Sequence, residues 1–104
     1  MLFAAGISQM YGISQKAMDK IKGVLFSKQG VEQVILYGSR AKGNYKEGSD
    51  IDLTIKGNLT HGDMVKLSVN LDDLNLPWQI DLSLYSHIKN EGLLEHIDRV
   101  GVVI

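Results

Sequence analysis

VEQVILYGSRAKGNYKEGSDIDLTI, residues 31–55, is the stretch that decides the fold. Val31 to Tyr37 is a β-branched and aromatic run whose last four residues are all apolar, the pattern of a strand covered on both faces. Gly38-Ser39-Arg40-Ala41-Lys42-Gly43 follows as a turn or short helix bracketed by glycines, and Asn44 to Ser49 as a polar loop. Ile51-Asp52-Leu53-Thr54-Ile55 then alternates strictly. Asp50, Asp52 and Thr54 therefore share one face while Ile51, Leu53 and Ile55 share the other, which predicts a half-buried strand. The connection between the two strands is too short for a crossover helix, so the pair is expected to be antiparallel.

Reading outward, Ser14 is placed to cap a helix carrying Ala17, Met18, Ile21, Val24 and Leu25 at helical spacing, with Gly30 as its end. On the other side, Gly57-Asn58 closes the second strand. Thr60 and Asp63 resemble a capping box for a helix with Met64, Leu67, Leu71 and Leu74 on one side, stopped by Pro77. Gln79 to Tyr85 repeats the earlier alternation, with Asp81 and Ser83 opposite Ile80, Leu82 and Leu84. A last helix is expected from near Ser86 or Asn90 to Gly101, carrying Leu94 and Ile97 inward, with Val102-Val103-Ile104 as a closing strand. The connection from the second strand to the third is long enough for a right-handed parallel crossover. The fold class is thus α/β, a small mixed sheet flanked by helices, in a single domain over residues 1–104 with 1–12 as a flexible lead.

Composition narrows the function. At 104 residues, 44% hydrophobic and 22% charged, the chain suits one domain with a real core. Eleven Lys and Arg against twelve Asp and Glu give a net charge of −1, which lacks the basic footprint of a stable nucleic-acid binder. With no cysteine there is no disulfide scaffold, thiolate zinc site or cysteine nucleophile, in keeping with a cytoplasmic setting. No run is long and apolar enough to span a membrane, and Met1 to Gly12 lacks the basic start and the cleavage site of a signal peptide.

Asp50 and Asp52, two residues apart on one strand face, have Cα atoms about 6.6 to 7 Å apart, close enough to lean onto shared divalent cations. Asp81 offers a third carboxylate. Three such groups repel one another unless cations neutralise them, and hard oxygen ligands select Mg²⁺ or Mn²⁺. After the first strand, Gly38 allows a phosphate to approach the backbone and Ser39 adds a hydroxyl donor. Arg40, Lys42 and Lys46 supply cations for a polyphosphate, or equally a solvated basic loop. Taken singly, an aspartate pair and a Gly-Ser turn are also ordinary strand-edge and loop features. His61, His87 and His96 have no ligand spacing and are expected at the surface or at caps. Trp78 beside Pro77 is expected as a core or rim aromatic.

The order of these residues is more telling. Tyr37-Gly38-Ser39, then Asp50-Ile51-Asp52-Leu53 and later Ile80-Asp81-Leu82, resembles the hydrophobic-Gly-Ser, Asp-x-Asp and third-Asp signature of the polymerase-beta-like nucleotidyltransferases. The string GSRAKGNYKEGSDIDL, with flanks YGISQKAMDKI and SHIKNEGLLEHIDRVGVVI, is similar to the minimal nucleotidyltransferases, antitoxins that accompany HEPN-type ribonuclease toxins. The likeness covers roughly residues 11–104. It implies that Gly38 and Ser39, with Arg40, hold the phosphates of ATP or another nucleoside triphosphate while Asp50 and Asp52 bind two Mg²⁺ or Mn²⁺ ions. Asp81 would complete the second metal site and help deprotonate an acceptor hydroxyl. The three acids are all present, whereas the acceptor-gripping domain of larger relatives has no room here. The resemblance therefore implies a hetero-oligomer in which a HEPN-type partner carries the acceptor. Transfer to a small-molecule hydroxyl such as an aminoglycoside, and a non-catalytic antitoxin acting by occlusion, are the alternatives.

Overall fold

The computed structural model describes residues 10–104. Residues 1–9 of the expected flexible lead therefore lie outside the described residues, and Met10–Gly12 form a 3-10 turn. Helix α1 (Gln15–Phe26) is capped by Ser14, whose hydroxyl accepts the Ala17 amide, and buries Ala17, Ile21 and Leu25. It stops at Phe26 rather than Gly30; Gly30, at φ 101°, makes the turn into the first strand. Strand β1 (Val31–Tyr37) leads into the short helix α2 (Gly38–Lys42), and β2 (Ile51–Gly57) follows the polar loop.

Helix α3 (His61–Asp72) has both halves of the expected capping box, Thr60 and Asp63 each bonding the other's backbone. It ends well before Pro77, because the chain leaves the helix through overlapping i→i+3 turns at Leu74 and Asn75, the latter at φ 54°. Strand β3 (Ile80–Leu84) is followed by a 3-10 turn, Tyr85–His87, and helix α4 (Glu91–Val100), capped by the Asn90 side chain. The chain then closes with β4 (Val102–Val103).

The four strands form one mixed sheet in the order β3-β2-β1-β4. β1 is antiparallel to both β2 and β4, while β2 and β3 are parallel across the α3 crossover, as the connection lengths require. One face carries Val34, Leu36, Ile51, Leu53, Ile55 and Leu84 and is sealed by Ile21 and Leu25 of α1 and Leu67 and Leu71 of α3. On the opposite face a smaller cluster, Ile35 and Tyr37 against Ile97 with Leu93, Tyr85 and Ile88 around it, seats α4 over β1. The inward pair of α4 is thus Leu93 and Ile97, one turn apart on the same side, and the expected Leu94 stays half-buried outside both clusters. Among the described residues no helix is long and apolar enough to cross a membrane.

Candidate functional site

Register brings the expected acids together. Tyr37 of β1 pairs with Asp52 of β2, and Asp52 in turn lies beside Asp81 of β3, so the three side chains form one row across neighbouring strands about 4.8 Å apart. Asp50, just before β2, and Asp81 are exposed; Asp52 is half-buried. Burial, then the charges of Asp81 and Asp50, push the Asp52 carboxyl above its ordinary 3.8, with His96 pulling slightly the other way. Tyr37 is raised as well, first by burial and then, against a hydroxyl contact from Ser83, by the charges of Asp81 and Asp52.

The next row belongs to the fold rather than the site. Thr54 is fully enclosed, contrary to the expected half-open strand, because its hydroxyl donates to the Ser83 carbonyl at 3.3 Å and accepts from the Ser83 hydroxyl at 3.0 Å beside the second cluster.

Gly38 sits at φ 76°, where any side chain is strained, and a β-carbon there would overlap the Asp52 carboxylate oxygen. The Gly-Ser turn and the aspartate are therefore in van der Waals contact across 14 residues of sequence. Ser39 is half-buried beside it.

Arg40 takes a different role from the one expected. It is 1% exposed, and its guanidinium donates to the carbonyls of Tyr11 at 2.9 Å, Glu47 at 3.2 Å and Ser49 at 2.9 and 3.0 Å. Its planar head also lies over Tyr45, at 4.9 Å, and Trp78, at 5.5 Å. With its N–H groups committed to main-chain oxygens it staples the N-terminal turn to the loop that delivers Asp50, and it does not meet a phosphate in this geometry. Lys42 and Lys46 remain exposed. Trp78 is the expected rim aromatic.

One site residue escaped the sequence reading. His96 on α4 accepts the Gly38 amide through Nε2 at 3.1 Å, and its ring meets Tyr37 edge-on with centroids 6.2 Å apart. Only its position one residue before the buried Ile97 hinted at this, since side-chain spacing alone cannot tell which turn a helix end will touch. His61 and His87 are exposed, as expected.

The residues present suit a hard divalent cation. Asp52 and Asp81 share a register position with Asp50 two residues along, and the mutual repulsion felt by Asp52 is what a cation relieves. Among the described residues no three acidic or histidine side chains converge on one point. That suits Mg²⁺, which is usually held by one or two carboxylates plus substrate phosphates rather than by an all-protein cage. Three concave surfaces, of about 260, 370 and 630 Å³, lie elsewhere, and none is lined by Asp50, Asp52 or Asp81.

Solved structures share this fold. A chain of a toxin-antitoxin crystal structure with AMP-PNP superposes with a TM-score of 0.67 at 20% identity, covering 82% of this chain and 69% of that one. A chain of the complex between tri-AMPylated Shewanella oneidensis HEPN toxin and MNT antitoxin gives 0.64 at 18% identity, covering 86% and 69%. A putative nucleotidyltransferase from Sulfolobus solfataricus gives 0.53 at 25% identity, covering 96% and 85%. No curated protein matches the chain in sequence. The family model described as "Polymerase beta, Nucleotidyltransferase" matches residues 19–104, from within α1 through the Gly-Ser turn and all three acids to the closing strand, and the chain belongs to that family.

Proposed function

We propose that the chain transfers a nucleotidyl group, AMP from ATP, to a hydroxyl on a partner protein of the HEPN toxin type, acting in the cytoplasm as a single domain within a hetero-oligomer. The observation that carries this reading is the contact of the Gly38-Ser39 turn with Asp52, which itself lies beside Asp81. Triphosphate and acceptor are thereby given adjacent places. Gly38 lets the phosphates approach the main chain and the Ser39 hydroxyl donates to a phosphate oxygen. Asp50, Asp52 and Asp81 would hold Mg²⁺ or Mn²⁺, two ions in the full site, which would supply neutralisation of the phosphate charge as the attacking oxygen arrives and the leaving oxygen departs. The acceptor oxygen attacks the α-phosphorus as its proton passes to the exposed Asp81 carboxylate. The bond from the α-phosphorus to the bridging oxygen breaks, and pyrophosphate leaves with that electron pair.

Three considerations support a macromolecular acceptor. The acids open onto exposed surface rather than into one of the three grooves, which disfavours a small molecule such as an aminoglycoside. One structural relative is a complex with a tri-AMPylated HEPN toxin. Net charge −1 disfavours stable nucleic-acid binding. Incubation of the chain and its co-purified partner with ATP labelled at the α-phosphate separates these readings. Label is expected on the partner, lost with excess chelator and in Asp50→Asn; undiminished labelling under either condition contradicts the reading.

A further inference from the structure

The Gly38 amide belongs to the turn packed on the Asp52 carboxylate, and the last helix holds it. His96 Nε2 accepts that N–H at 3.1 Å. The ring is fixed from two sides: Tyr37 meets it edge-on at an interplanar angle of 78°, and the next residue, Ile97, is buried against Ile35 and Tyr37. Gly38 has little freedom of its own to compensate, because its α-carbon is packed so closely on Asp52 that no β-carbon fits. Any shift of the Gly38 peptide is therefore transmitted to the carboxylate.

We propose that His96 is a positioning residue for the nucleotide site: by holding the Gly38 amide it fixes the Gly-Ser turn and, through it, the Asp52 carboxylate. This rests on the reading of that turn as the triphosphate site. Bound phosphate then uses the Ser39 side of the turn while the hydrogen bond from Gly38 to His96 persists. Helix α4, which also meets Tyr37 of that row through His96 and Ile97, becomes a determinant of nucleotide affinity.

The test uses the whole chain, ATP and Mg²⁺ in titration calorimetry. His96→Leu keeps the bulk and removes the acceptor; His96→Gln places a carbonyl oxygen near the position of Nε2. His96→Leu is expected to weaken ATP binding by about fivefold, the effect of one ordinary hydrogen bond, and His96→Gln to restore most of it, while the two variants melt alike. Equal affinity in parent and His96→Leu, or equal loss in both variants, overturns the proposal and leaves His96 a packing residue. Tighter binding by His96→Leu overturns it in the other direction, since the imidazole would then compete with phosphate. A second readout needs no variant: in the isotope-labelled parent, the coupling across the N–H···N bond between Gly38 and His96 is expected to survive saturating ATP, and its disappearance would refute the positioning role. A parent chain that binds no ATP at all removes the proposed function and this inference together.

Discussion

Asp52 is the residue on which charge and burial conflict most openly. Its carboxyl is raised above 3.8 by burial and by Asp81 and Asp50, so folding favours its protonated form. The stabilisation from that form is complete below the ordinary carboxylate range and is lost as pH rises through the raised value, leaving an unrelieved charge at neutral pH. Asp52→Asn is therefore expected to abolish transfer yet to melt above the parent at pH 7 in metal-free buffer, with the gap closing as pH falls below the carboxylate range; thermal melts across pH check the sign. Arg40 makes the opposite case. Arg40→Ala leaves the carbonyls of Tyr11, Glu47 and Ser49 without their donor and is expected to cost about 3 kcal/mol or more in urea unfolding, whereas Lys42→Ala, at an exposed position, is expected to cost little. A fully stable Arg40→Ala would contradict the staple. The acids were legible in the sequence because alternation along a strand fixes their face. The role of Arg40 was not, since its partners are main-chain oxygens at positions 11, 47 and 49 that only folding gathers.

At the scale of elements, the strands and helix starts follow local rules and the helix ends do not. Ser14, Thr60 and Asn90 each satisfy an amide of the first turn with their own side chain, which is why the first two starts read directly from sequence and the third was narrowed to Ser86 or Asn90. Asp63 is held below 3.8 by the Thr60 amide first and by Lys28, 3.2 Å away. The stabilisation it gives is present above the ordinary carboxylate range and fades as pH falls through the lowered value. Thr60→Ala is expected to cost about 1 kcal/mol and to speed amide exchange in the first turn of α3; unchanged exchange there would show that the box does not hold the helix. Pro77 and Gly30 were natural stops by residue type. The helices end earlier, at Ser27 and Asp73, because the amides that follow, of Lys28 and of Leu74 and Asn75, bond carbonyls three residues back rather than four. The inward face of α4 was likewise ambiguous by one residue, since Leu93 and Leu94 both lie about one turn from Ile97, and it is Leu93 that packs against Ile35, Tyr37 and Ile97.

For the whole molecule, the sheet order decides what the acids can reach. α4 sits over β1 on the carboxylate face, and α1 and α3 cover the opposite face, so the β2-β3 half bearing Asp52 and Asp81 is the side open to a docked chain. The mixed sheet followed from connection lengths. That none of these three grooves is lined by Asp50, Asp52 or Asp81 did not, because surface shape depends on how helices lie across the sheet. Under the proposed function binding and modification are separable, since the partner would dock on this face and Asp81 would take the proton of its hydroxyl. The most direct measurement is the intact mass of the partner co-purified with the parent chain and with Asp81→Asn. Co-purification is expected in both cases, with the mass of one or more AMP groups on the partner of the parent chain and none on that of the variant. The same unmodified mass in both, with Asp81→Asn neutralising the partner as well as the parent does, would contradict it.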